Sequence, residues 1–201
     1  KKSNKARNQK KSREHSFIKS NPKNVSQMSS TFLLRIARLL IIMFFQITIF
    51  NHTHLLGYAT PLAIGYMLIC FQRNTSRTGI LLWGFVTGFL FDSFSNTAGM
   101  AAAACTLTAM VQPSLLSMFT PRDAAEDMTP TFQTLGFKNY FFYTLLLMSI
   151  LHSAFYLLDA FTLADWQLTA ISIGASSLFT TLIVFCIELF VRPRKQTKYY
   201  S

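Results

Sequence analysis

The chain has 201 residues, 51% of them hydrophobic and only 13% charged, whereas an ordinary globular domain carries about 25% charged residues. Water is the wrong solvent for most of it, and the length suits one domain. The formal charge is nevertheless +11, so the few ionisable side chains must gather where they stay wet, and their positions report topology.

Nine of the 19 Lys and Arg lie in residues 1–31. Such a basic tail suggests nucleic acid or anionic lipid. The lipid reading is favoured, because the tail runs straight into an apolar segment and offers only Phe17 for stacking on bases. Its simplest reading is a solvated, disordered cytoplasmic flank that helps set topology, and Met28 beside the first apolar segment points to an upstream extension.

The first span is expected over Phe32–Phe50, whose 19 positions reach roughly 28 Å at about 1.5 Å per residue, close to the hydrocarbon thickness. It lacks the cleavage pattern of a secretory signal and should remain as an anchor. Arg35 and Arg38 in its first turns can snorkel to the headgroups and mark that end as cytoplasmic.

The second apolar stretch, Leu55–Phe71, contains Thr60-Pro61, a helix cap followed by a proline suited to the first helical position. A helix starting only there is too short to span, which leaves residues 51–59 as irregular backbone at the outer face.

Arg73 and Arg77 precede a third span, Gly79–Phe94. The turn Ser95-Asn96-Thr97 leads into a fourth, Ala98–Phe119. The polar stretch Pro121–Lys138 is expected to hold one short surface helix capped by Thr120 with Pro121 at its start. The fifth span is Tyr140–Leu158 and the sixth Leu168–Val191, closed by Arg192-Pro193-Arg194-Lys195.

The expected fold is therefore an all-α integral membrane protein, a bundle of about six transmembrane helices over residues 32–191 with both termini cytoplasmic and a basic C-terminus over 192–201. In that topology the external loops, 51–59, 95–97 and 159–167, contain no Lys or Arg, so every basic residue falls inside.

The best-defined motif is Gly84-Phe-Val-Thr-Gly88-Phe-Leu-Phe-Asp92, whose four-residue spacing aligns two glycines and a carboxylate on one helix face. Glycine admits close approach of another helix. Asp92 is either a wet residue near the outer interface or a buried polar or ion-coupling group, because carboxylates at membrane depth are costly.

His152 and Asp159 share a face of the fifth span and could form a charge pair or proton relay, although Asp159 also suits the wet outer end of that helix. Glu188, four residues before Arg192, reads as an ordinary i,i+4 ion pair. His52 and His54 supply only two of the ligands a zinc site needs. Gly174-Ala-Ser-Ser177 reads as small residues at a helix contact rather than a nucleophile elbow. Cys70, Cys105 and Cys186, each in an apolar stretch, suit packed thiols. With no P-loop, H-E-x-x-H or dinucleotide fingerprint, no catalytic residue, cofactor or metal is expected, and the pattern suits a scaffold or carrier subunit.

The hairpin Gly84-x-x-x-Gly88-x-x-x-Asp92-x-x-Ser95-x-x-x-Gly99 resembles the signature region of MreD proteins, the rod-shape-determining membrane proteins of bacteria. Phe91-Asp-Ser-Phe-Ser-Asn-Thr-Ala-Gly-Met-Ala-Ala-Ala and Phe119-Thr-Pro-Arg122 are similar to the Bacteroidota branch, and residues 51–61 resemble the external lead into its second helix. The resemblance covers about residues 32–191.

It implies a non-enzymatic inner-membrane component of the elongasome that associates with MreC. Through MreC it would meet the MreB filament, RodA and a class B penicillin-binding transpeptidase, supporting rod shape and lateral peptidoglycan synthesis. Gly84, Gly88, Asp92, Ser95 and Gly99 would then be helix-packing or partner contacts. Membrane lipid, and no nucleic acid, is the other expected contact.

Two readings of other classes stay open. One is a substrate-binding membrane subunit of a vitamin-type importer, with Asp92, Asn96, His52, His54 and Asp159 lining a polar pocket. The other is an intramembrane enzyme using Asp92 and Asp159 as paired acids, which requires their pKa values to be split.

Overall fold

A computed structural model describes residues 22–50, 61–121, 124–125, 128–159 and 166–191. Among these the ordered elements are all helical. The chain divides into two compact units, Lys1–Arg38 and Leu39–Ser201.

The first unit contains the beginning of helix α1 (Pro22–Phe45), on which Phe32, Leu33 and Leu34 are exposed. In the second unit, Leu39, Ile42 and Met43 of the same helix are buried, whereas Leu40, Ile41, Phe44 and Phe45 face outward. The helix ends in a wider π-turn, Gln46–Phe50, a geometry that often re-aims a side chain for a specific task.

That side chain is Gln46, which is 2% exposed. Its amide nitrogen donates to the carbonyl of Pro61 at 2.9 Å, and its amide oxygen accepts from the backbone N–H of Ala63 at 2.8 Å. Thr180 Oγ1 accepts from the neighbouring N–H of Leu62 at 3.3 Å.

The segment so clamped begins a broken helix. A 3-10 turn, Ala63–Gly65, runs into α2 (Tyr66–Ile69), and every residue from Pro61 to Ile69 is buried. These seven helical residues rise only about 10 Å. The expectation that a helix starting near Pro61 falls short of a full span holds for these residues; the rest of that stretch, residues 51–60, lies outside the described residues.

Among the described residues, four helices are long and apolar enough to cross a membrane. They are α3 (Arg77–Ser95), α4 (Met100–Phe119), α6 (Phe137–Asp159) and α7 (Trp166–Val191), with the short α5 (Phe132–Leu135) before α6. Ser76 caps α3 by accepting from the Gly79 N–H.

The short helix in the polar connection is capped by Thr131 in a reciprocal capping box with Thr134. This corrects the expectation that Thr120 starts it: the Thr120 hydroxyl donates back to Leu116 O at 2.7 Å and so closes α4. The connections before α3 and after α4 touch one another, the Arg73 N–H donating to Met128 O at 3.1 Å and its guanidinium to Ala124 O at 3.2 Å. The open ends of the α3–α4 hairpin thus lie on one side.

The helices are amphipathic in the opposite sense to those of a water-soluble bundle. On α7 the outward residues include Ile171, Leu178, Leu182 and Leu189, while Ser172, Ser176, Ser177, Thr180, Thr181 and Glu188 are buried. Leu and Phe outside with hydroxyls and a carboxylate inside is the arrangement expected when the solvent is lipid.

Replacing Gln46 by Leu should strand the Pro61 carbonyl and the Ala63 N–H, each at a cost of about 1–3 kcal/mol. A markedly lowered unfolding midpoint in detergent is the expected result, and an unchanged midpoint would show that the clamp contributes nothing.

Candidate functional site

Two groups of residues stand out, the hairpin motif and a buried polar seam. In the hairpin, a Cβ added to Gly84 would lie 2.7 Å from Ala109 Cβ and 3.0 Å from Cys105 O. One added to Gly88 would lie 2.3 Å from Ala101 O and 2.5 Å from Ala102 Cα. Both glycines are therefore seats for the backbone of α4, and the small residues opposite them make the approach mutual.

Asp92, 5% exposed, ends the same face. Its Oδ1 accepts from the Ala101 N–H at 3.0 Å and from the Thr97 hydroxyl, and its Oδ2 accepts from the Ala102 N–H at 2.8 Å. The carboxylate thus meets the free amides and positive dipole end of α4 from the preceding helix. Gly99 precedes α4 and supplies no side chain for this purpose.

Ser95 is the last residue of α3 and is half-buried. Gly99 has a different part from the packing contact expected of it: nothing lies within 4 Å of where its Cβ would be, and its φ is +81°. Glycine is needed there for the left-handed backbone rather than for close approach. Asn96 turns the corner with the same sign of φ, +54°, which asparagine tolerates better than most residues.

The seam begins on α7. From Ser172 to Glu188 its buried face rises about 24 Å, most of a bilayer core, and carries Ser172, Ser176, Thr180 and Glu188 at four-residue steps broken only by Val184. Ser176 Oγ is 3.0 Å from the Tyr156 hydroxyl. Thr180 Oγ1 is 3.3 Å from His152 Nε2, and His152 Nδ1 is 2.9 Å from Met148 O. Lower on the same face, Glu188 Oε2 accepts from the Tyr66 hydroxyl of the broken segment at 2.8 Å.

His152 is thus fully buried against Thr180, whereas Asp159, seven residues further along α6, is exposed at the helix end. The seven-residue spacing does not by itself carry the two into one environment. Glu188 has a contact beyond the i,i+4 ion pair expected of it. It is 1% exposed and turned to Tyr66, while Arg192, its expected partner, lies outside the described residues.

Of the basic residues that mark topology, Arg35 and Arg38 are half-buried and Arg73 and Arg77 exposed. Arg194, Lys195, His52 and His54 lie outside the described residues, among which no group of three metal-ligating side chains occurs. The polar repeat Ser172, Ser176, Thr180, Glu188 is visible in the sequence as an i,i+4 series, but only its small-residue part, Gly174 to Ser177, attracts notice there. Gln46 carries no sequence signal beyond being an amide within an apolar run.

Compared with protein-family models, curated proteins and solved structures, the chain matches none.

Substituting Ala for Gly88 should destabilise the hairpin by about 1–3 kcal/mol, because the added carbon meets backbone that cannot rotate away. Gly174→Ala is the control: nothing lies within 4 Å of it, and the gain in helix propensity should leave stability equal or up to about 1 kcal/mol higher. Unfolding midpoints of the two variants in one detergent decide the comparison, and equal values would remove the close-approach argument. Asp92→Asn should cost about 1–3 kcal/mol in the same assay, since its amide group would turn an N–H toward a backbone donor that Oδ1 or Oδ2 now satisfies; a native midpoint would show the cap to be dispensable.

Proposed function

We propose that the chain is a non-enzymatic membrane component of the bacterial elongation machinery, similar to MreD, that associates with MreC to support rod shape and lateral peptidoglycan synthesis. Through MreC it would be linked to MreB, RodA and a class B penicillin-binding transpeptidase. The observation that carries the reading is the stretch Gly84 to Gly99, where the resemblance to MreD proteins is strongest. Its residues have interlocking physical roles: two glycines seat α4, Asp92 caps it, and Gly99 provides the turn into it. A scaffold needs a rigid unit of this kind more than it needs a reactive group.

The finer topology belongs to the same proposal: an inner-membrane protein with six crossings and both termini in the cytoplasm. It is supported by the segregation of all Lys and Arg to one side in that arrangement. The hydrogen bonds of Arg73 to Met128 and Ala124 support it as well, because they join two connections assigned to the same face.

A second reading, a polar-ligand subunit of a small-molecule importer, is favoured by one observation. The broken segment from Pro61 to Ile69 is flanked by Gln46, Thr180 and Glu188, and interrupted helices near the midplane are where carriers bind their cargo. The residues first considered for such a pocket give it less support, since Asp92 is committed to capping and Asp159 is exposed. The same commitment of both Asp92 oxygens leaves the paired-acid enzyme without support from this geometry.

Purification of the tagged chain in mild detergent should recover MreC. Gly88→Leu should lower MreC recovered per inserted chain by about tenfold, the equivalent of about 1.4 kcal/mol. Recovery of a transporter ATPase without MreC would replace this reading by the second. Accessibility tags at positions 55 and 163 should report the periplasm and tags at 75, 127 and 198 the cytoplasm; a cytoplasmic signal from 163 would break the six-crossing topology.

A further inference from the structure

We draw no further inference here: the strongest candidate, the buried side-chain pair Gln112 and Tyr143 between α4 and α6, in which Gln112 Nε2 donates to the Tyr143 hydroxyl at 3.0 Å and Gln112 Oε1 has no hydrogen-bond partner among the described residues, carries no site, because nothing in the structure shows what that oxygen would meet.

Discussion

A backbone that leaves the helix at membrane depth must have its polar groups satisfied by the protein itself, because lipid offers no partner and each unmet group costs several kcal/mol. The same condition holds in any buried apolar interior, and here it falls on Pro61, Leu62 and Ala63, all of them buried. It is met by two side chains distant in sequence, the Gln46 amide, which serves a carbonyl and an N–H at once, and the Thr180 hydroxyl. The consequences spread through the second unit. The π-turn at Gln46 gives its side chain an irregular backbone to project from. The clamped segment seats Tyr66 beside Glu188, and Gly65 is so close to Met148 and Leu151 of α6 that a Cβ there would lie 2.8 Å from them. The broken segment is thereby tied to α6 and α7 by contacts that require it to be broken where it is.

The α3–α4 hairpin solves a different problem with different means. Two apolar helices in lipid gain little from hiding apolar surface, so their association depends on close packing and on polar contacts. Gly84 and Gly88 supply the first and Asp92 the second. The carboxylate is tolerable inside the bundle because charge-assisted hydrogen bonds from two backbone amides and a threonine replace its hydration. Its negative charge also faces the positive end of α4. One helix therefore caps the next, and the turn residues Asn96 and Gly99 adopt positive φ so that this geometry closes.

Much of this was legible in the sequence, and the remainder was not for identifiable reasons. Apolar runs and the distribution of Lys and Arg mark the long helices, and the observed limits of α3, α6 and α7 lie within about three residues of those expected, which is ordinary fraying. The four-residue spacing of Gly84, Gly88 and Asp92 identified the packing face. Spacing could not say that Asp92 serves the following helix, because that depends on the three-dimensional course of the turn. Glu188 has a contact that spacing could not reveal for the opposite reason: a basic run four residues on supplies a ready local partner, while Tyr66, which donates to it, stands 122 positions away. The seam was obscured because Ser and Thr at i,i+4 look the same whether they bond their own helix, as Thr181 does, or a distant backbone, as Thr180 does.

The two regions also differ in how they resist disturbance. The hairpin is held by backbone against backbone at glycine seats, contacts that have no rotamer to change and must separate as a whole. The seam is held by single side-chain hydrogen bonds, among them 2.8 Å at Tyr66–Glu188 and 3.3 Å at both partners of Thr180. Each of these can open by a rotation of one or two side-chain bonds. Local opening therefore costs least along the seam and most along the hairpin, the usual division between a frame and the part of a protein that responds to ligands or partners. The elongasome reading rests on residues of the frame.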